Sequence, residues 1–387
     1  MSIENSFVQD VEFLNRYVET IVLGEHGGPQ LVVVPAYQGR TMTSTANGDK
    51  SYAWINYDLI ESQKQVPQIN LYGGEDRFWL GPEGGQFSVF FDPGAPMDFE
   101  VWRVPSVLDT EPFDLVAQDS DSVSFSRQAK LTNHSQYEFE IQFDRKVVLL
   151  DQAAAEAAIG HSLEGLSWVS HESQNSLTNI GTEPWSRQTG LLGIWMLCMN
   201  KPSPKATAII PFKNGDESEL GPIVNADYFG KLDESRLIVD EDKNLIYFLG
   251  DGNLRSKLGL TFSRVQPILG SWDPRLQTLT VVQFNLPDKA LNGYTNNLWE
   301  IQDDPFAGDV INSYNDGPNE SGGMLGPFFE LETLSPALAL GPEENYVHVH
   351  RTTRIEGDTD AISRLTQALF GIPLSDIESK FGNQPGN

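Results

Sequence analysis

The feature that most limits how this chain can fold is an alternation of polar and apolar side chains at period two, repeated along most of its length. Successive side chains of a strand point to opposite sheet faces, so the pattern describes strands with one face buried. Ser122 to Lys130 and Tyr137 to Phe143 alternate in this way, while Leu31-Val32-Val33-Val34 is apolar throughout, as a strand covered on both faces would be. Leu191 to Met199, Ala206 to Pro211, Leu237 to Leu249 and Leu258 to Val265 extend the series. Asn47-Gly48, Asn214-Gly215 and Gly250-Asp251-Gly252 supply turns between runs. Roughly a dozen or more strands with few helices interposed predict an all-β chain of antiparallel sheets packed as a sandwich, and not a βαβ fold.

Helical spacing is confined mainly to the two ends. From Ser6, apolar residues at Val11, Leu14, Val18 and Ile21 predict a helix within residues 1–24, packed on the sandwich. Asp358 and Thr359 can cap a helix from Asp360 that carries Ile362, Leu365 and Leu369 on one face and stops at Gly371 and Pro373. The sandwich is assigned to residues 25–357, and the C-terminal helix with a loose tail after Phe381 to 358–387. The Ala-rich stretch Gln152 to Ile159 predicts one further short helix.

The 387 residues include 54 acidic and 26 basic side chains, for a formal charge of −28. A field of that sign repels phosphate backbones and anionic lipid headgroups, so neither nucleic acid nor a membrane surface is an expected partner. No apolar run approaches the ~18 residues of a membrane span. Met1 to Asn15 has no basic segment ahead of an apolar stretch, so no signal peptide is read. The cytoplasm is the expected compartment, although a secreted or periplasmic form with its signal removed would carry the same sequence. The single cysteine, Cys198, lies in the apolar run Gly193 to Met199, where a buried, inert thiol is expected. Phosphate-binding glycine loops, a nucleophile elbow and zinc-spaced Cys/His clusters are absent, so no cofactor is expected and no resident metal is assigned. Oligomeric state leaves no mark on the sequence.

Three segments can carry chemistry. In Gly73-Gly74-Glu75-Asp76-Arg77-Phe78-Trp79, Arg77 offers several donors to sugar hydroxyls, Trp79 a face for the C–H side of a pyranose, and Glu75 an acceptor. The same residues also suit a Gly-rich turn in which Glu75 or Glu83 pairs Arg77 and the aromatics fill the core. The second segment comprises Phe328-Phe329-Glu330-Leu331-Glu332-Thr333 and Tyr346-Val347-His348-Val349-His350-Arg351, separated by turn formers. Paired as antiparallel neighbours about Leu340, these runs set Glu332 opposite His348 and Glu330 opposite His350 on one face. Three readings stay open: solvent-facing charge pairs, a Glu/His acid–base pair, or a divalent-metal site. In the third segment Asn315 and Asp316, beside Tyr314, can bond sugar hydroxyls or form a plain turn with Gly317. His26, His134, His161 and His171 receive no role.

Val34-Pro35-Ala36-Tyr37-Gln38-Gly39-Arg40, the segment from Gly73 to Trp79, and Leu331-Glu332-Thr333 resemble landmarks of the galactose mutarotase (aldose 1-epimerase) superfamily, most of all its uncharacterised bacterial members. The resemblance runs from about Leu31 to Gly357. It implies a β-supersandwich that holds carbohydrate in a groove, with Glu332 as base on the anomeric hydroxyl and Arg77 against the sugar. Of the superfamily's two histidine motifs, the His-Gly-Gly-like one is absent and the other survives only as Asn133-His134-Ser135. His348, on the expected neighbouring strand, stands in as the acid. The expected function is therefore a small-sugar-binding protein of mutarotase type, possible as a 1-epimerase through Glu332 and His348. Arg77, Trp79, Glu75, Asn315, Asp316, His350 and Glu330 would surround the sugar. A carbohydrate-binding protein without chemistry and a structural or assembly protein are the alternatives.

Overall fold

The computed structural model describes residues 5–319 and 322–382. Among the described residues, eighteen strands form three sheets, and every ladder between them is antiparallel. A ten-stranded sheet runs in the order Leu237–Asp240, Leu245–Leu249, Thr207–Pro211, Ile268–Asp273, Thr278–Phe284, Asn345–Glu356, Ser167–Asn179, Glu138–Leu149, Ser122–Thr132, Asp114–Gln118. A five-stranded sheet runs Ser256–Leu260, Ile311–Asn315, Phe329–Leu334, Gly193–Asn200, Arg77–Gly81. A small third sheet joins Ile21–Leu23, Gln30–Val34 and Arg40–Thr45.

Alternation decides which side of each strand faces the core. In Glu138–Leu149, Phe139, Ile141, Phe143 and Val147 are buried while Glu138 is exposed. The main core lies between the two large sheets: Phe125, Phe143, Val169, Leu177 and Val282 of one pack with Phe78, Met196, Cys198, Leu258 and Leu331 of the other. A second core lines the opposite side of the ten-stranded sheet, where Ile209, Tyr247, Trp272, Val281 and Ile355 meet the helices Gln152–Ile159, Thr359–Phe370 and Leu374–Lys380. The large sheet is thus covered on both sides over part of its width, which explains its apolar strands.

The helix starts and stops follow local chemistry. Ser6 caps Phe7–Leu14 through a capping box with Gln9. Asp358 caps Thr359–Phe370, and Gly371 ends it at φ 76°. The N-terminal helix is shorter than its apolar spacing predicts: it stops at Leu14, and Ile21 belongs to a strand pairing with Val33. Leu237 to Leu249 is two strands joined by a turn, and Leu258 to Val265 is strand only as far as Leu260. The helix Leu374–Lys380 follows Pro373, where a stop was expected. Of the tail read as loose, residues 383–387 lie outside the described residues.

One expectation about pairing fails. Phe329–Leu334 and Asn345–Glu356 are not neighbours and do not share a sheet. Phe329–Leu334 pairs with Ile311–Asn315 and Gly193–Asn200, whereas Asn345–Glu356 pairs with Ser167–Asn179 and Thr278–Phe284. The short connection from Ser335 to Glu344 crosses from one layer to the other instead of turning a hairpin within one. Glu332 therefore does not stand opposite His348, nor Glu330 opposite His350.

Candidate active site

Register in the five-stranded sheet assigns every side chain to a face. Glu332 is level with Asn312, Leu197 and, one strand further, Arg77; Glu330 is level with Tyr314, Met199 and Lys257. Directly paired residues share a face, as do residues two apart along a strand. Glu330, Glu332, Arg77, Trp79, Trp195, Lys257 and Tyr314 therefore project from one face, the one turned away from the ten-stranded sheet.

These side chains form an interlocked cluster of charge and indole. Glu332 Oε2 accepts from Trp195 Nε1 at 2.9 Å and from Lys257 Nζ at 3.4 Å. Arg77 Nη2 lies 3.5 Å from Glu330 Oε1. The Arg77 guanidinium sits 4.4 Å from the Trp79 ring centre, and Lys257 Nζ 4.7 Å from that of Trp195; such contacts hold a cation against a π face. Glu332 is 1% exposed, and Glu330 and Arg77 each 5%. Burying charges this deeply is costly unless each has a partner. Glu330 Oε1 and Arg77 Nε nevertheless remain buried without a hydrogen-bond partner.

Loops bring further groups to the same face. Tyr228, whose ring centre is 5.4 Å from Lys257 Nζ, donates to Asp309, which also accepts from Asn225 at 2.8 Å. Burial pushes Asp309 up to about 6. Glu83 is partly open to solvent, yet its carboxyl is packed among enough protein to be raised to about 7, with Lys257 opposing the shift and Glu332 adding to it. Burial likewise lifts Glu330 well above the ordinary carboxylate range, against the pull of Arg77 and with Glu332 adding to the rise. Trp102 stacks on Trp299 at 5.6 Å and meets Trp79 edge to face at 6.4 Å, which completes an aromatic wall. The cluster can accept, donate and relay protons beside aromatic surfaces.

Of the other expected site residues, all but Asp316 lie elsewhere. His348 and His350 belong to the inner face of the ten-stranded sheet, where Nε2 of His348 and Nδ1 of His350 each lie 2.9 Å from Thr333 Oγ1. Thr333 points away from Glu332, so a sheet separates the imidazoles from the carboxyls. Burial depresses both, His348 to about 3 and His350 to about 4. Glu75 is also interior: its Oε2 accepts from Arg354 Nη2 at 2.8 Å and Nε at 3.0 Å. Asn315 ties down a loop, accepting from Gly252 N at 2.9 Å and donating to Leu254 O at 2.8 Å. Asp316 borders the cluster, accepting from Tyr314 Oη at 2.5 Å and from the amides of Leu325 and Gly326 at 2.7 Å each. Cys198 is buried as expected, and burial raises its thiol to about 12. His134 bonds Ala95 O at 2.8 Å.

Sequence reading missed Lys257, Trp195 and Asp309. Lys257 could have been noticed as a lone cation in the apolar strand Ser256–Leu260. Trp195, inside the apolar run from Gly193 to Met199, carries an N–H that must find an acceptor when buried. Asp309 has no local signal. Among the described residues, no group of three or more His, Cys, Asp or Glu side chains is arranged to hold a metal ion, and no helix is long and apolar enough to cross a membrane.

A model of a family of unknown function, DUF6786, matches residues 5–381. No curated protein matches the sequence at a significant level. Among solved structures, a candidate aldose 1-epimerase from Escherichia coli K12 superposes with a TM-score of 0.50 at 13% identity, over 88% of this chain and 99% of that one. The Slr1438 protein of Synechocystis sp. PCC 6803 gives 0.51 at 12% identity, over 88% and 96%. At such identities the likeness is one of fold, and the fold is the galactose-mutarotase-like supersandwich.

Proposed function

The chain belongs to the family of unknown function DUF6786, and from that premise we propose that it binds a small reducing sugar at the Glu330–Glu332 face and interconverts its anomers. Glu332 would take the proton of the anomeric hydroxyl, while Arg77 and Trp79 would position the ring. The observation that carries the reading is the convergence of Glu330, Glu332, Arg77 and Lys257 with the Trp79 and Trp195 indoles on one sheet face. Carboxyls move protons, cations and amide-like donors orient hydroxyls, and indole faces accept the C–H side of a pyranose. The sandwich fold supports the same reading by analogy alone.

Lys257, Glu83, Tyr228 and Trp299 are each partly exposed and form the rim of the cluster. A sugar reaching Glu332 would have to displace them. The test is proton NMR of anomer exchange in freshly dissolved hexoses. The protein should speed exchange, and Glu332→Gln should lower the rate at least ~10²-fold, the usual weight of a positioned acid or base. A Glu332→Gln protein with full activity removes the assignment.

A second reading, sugar binding without chemistry, is favoured by one observation: no histidine shares the face with Glu332. It predicts a higher melting temperature with sugar, since a ligand at 100 times its Kd adds about 2.7 kcal/mol, with no faster exchange.

A further inference from the structure

Anomer interconversion needs two proton carriers: one for the C1 hydroxyl and one for the ring oxygen. We propose that Glu330 is the second carrier, so that two carboxyls on alternate positions of one strand perform the reaction without a histidine. This rests on the sugar reading above. Every histidine is placed away from this face. His348 and His350 bond Thr333 behind the sheet, and His171 is buried on the inner face of the ten-stranded sheet, level with Thr352. His134 bonds the Ala95 carbonyl, and His26 and His161 are exposed on turns.

Glu330 has what the role requires. It projects beside Glu332, is 5% exposed, and keeps Oε1 and the neighbouring Arg77 Nε without hydrogen-bond partners. Glu330 Oε1 has only the long 3.5 Å ion pair with Arg77 Nη2, so it and Arg77 Nε are buried groups that a bound hydroxyl would satisfy. The charged groups facing it are Arg77, Glu332, Lys257 and Asp316. Burial raises its pKa despite the two cations, which keeps the carboxyl protonated near neutrality and ready to donate.

The cycle balances. The Glu332 carboxylate takes the C1 hydroxyl proton, the C1–O5 bond breaks, and O5 leaves with the electron pair and receives the Glu330 proton. The aldehyde rotates about C1–C2. Glu330 then recovers its proton from the O5 hydroxyl, O5 attacks the other face of C1, and the carbonyl oxygen takes back the proton held by Glu332. Both side chains end as they began.

The experiment measures anomer exchange by proton NMR across pH 5–9 (roughly the span over which a raised carboxyl titrates). The proteins compared are the full chain, Glu330→Gln, Glu83→Gln and His348→Asn, each first shown to be folded by its melting curve. Glu330→Gln is expected to lose at least ~10²-fold in rate and the alkaline fall of the parent's pH profile, while sugar still raises its melting temperature. His348→Asn is expected within about threefold of the parent, far less than the weight of a lost catalytic acid. Full activity in Glu330→Gln, or a loss confined to Glu83→Gln or His348→Asn, overturns the assignment while leaving the sugar reading intact. A parent protein that does not accelerate exchange sinks the enzyme reading, and this inference with it.

Discussion

The indole nitrogen of Trp195 lies 2.9 Å from Oε2 of Glu332 and donates a hydrogen bond to it. That bond joins two adjacent strands across one ladder, and Lys257 approaches the same oxygen at 3.4 Å from the far edge of the sheet. A carboxyl 1% exposed is therefore held in one orientation by partners that come from distant stretches of chain.

Replacing Trp195 by Phe keeps most of the ring and deletes the donor. Hydrogen bonds to charged groups contribute about 1.5–3 kcal/mol, so Trp195→Phe should lose about that much stability in urea unfolding. Lys257→Met should couple with it, because both support the same oxygen. Additive losses in the double variant would show that the two donors act independently.

The Glu75–Arg354 pair is buried between the sheets, and Arg354 also bonds Asn200 and Thr280 at 2.6 and 2.8 Å. Removing one member of such a pair strands the other, at about 3–5 kcal/mol. Glu75→Gln is expected to lower the urea midpoint strongly. It should leave any sugar-dependent melting shift unchanged, because Glu75 faces the interior. A Glu75→Gln protein as stable as the parent contradicts this placement.

Stability should depend on pH in two opposing ways. His348 and His350 titrate near 3 and 4 when folded, against about 6.5 when unfolded. Below pH ~6.5 the unfolded chain binds more protons, so their contribution is present above that pH and is lost as pH falls toward 4. Glu83 is raised to about 7, so its contribution is present at low pH and is lost as pH rises from about 4.5 to 7. His348→Asn should lessen the slope on the acid side of the stability curve, leaving the part due to His350, and Glu83→Gln should lessen that on the neutral side, leaving the part due to Glu330 and Asp309. Urea unfolding at successive pH values reads both.

Thr333 Oγ1 serves both imidazoles, at 2.9 Å each. Thr333→Val keeps the shape and leaves two buried ring nitrogens short of a partner. An unsatisfied buried group costs about 1–3 kcal/mol, and a loss of at least that size is expected by chemical denaturation. Unchanged stability would mean that the imidazoles find other partners.

Gly259 lies in the row of Glu332, and a Cβ there would come within 2.1 Å of Asp309 Oδ2. Gly259→Ala should push Asp309 off Tyr228 and Asn225, at about 1–3 kcal/mol. The Tyr228 loop should become more accessible to limited proteolysis, and an unchanged digestion pattern argues against this contact.

Much of the fold was legible because its signals are local. Alternation found the strands, and the cap read at Asp358 marks a helix start that the backbone honours, as do the apolar spacing from Ser6 and the Ala-rich stretch from Gln152, whose caps Ser6 and Asp151 the structure supplies. Leu237 to Leu249 was read as one strand because both arms of its hairpin are apolar enough to continue the pattern. In the candidate site, the shared face of Glu330 and Glu332 follows from their spacing, and so does that of Arg77 and Trp79. What failed was the choice of neighbour. Chain proximity suggested a hairpin with the His348 strand, but the chain between them crosses from one layer to the other.

By itself, then, the sequence determined the class of fold, the faces of individual strands and the pairing of carboxyls at alternate positions, because a strand's two-residue period is set by backbone geometry within a few residues. Only the tertiary structure decided that Lys257, Trp195 and Arg77 surround those carboxyls while three histidines lie behind the sheet. Strand order is a property of the whole sandwich: it depends on which faces can be buried together, and no short stretch of chain carries that information.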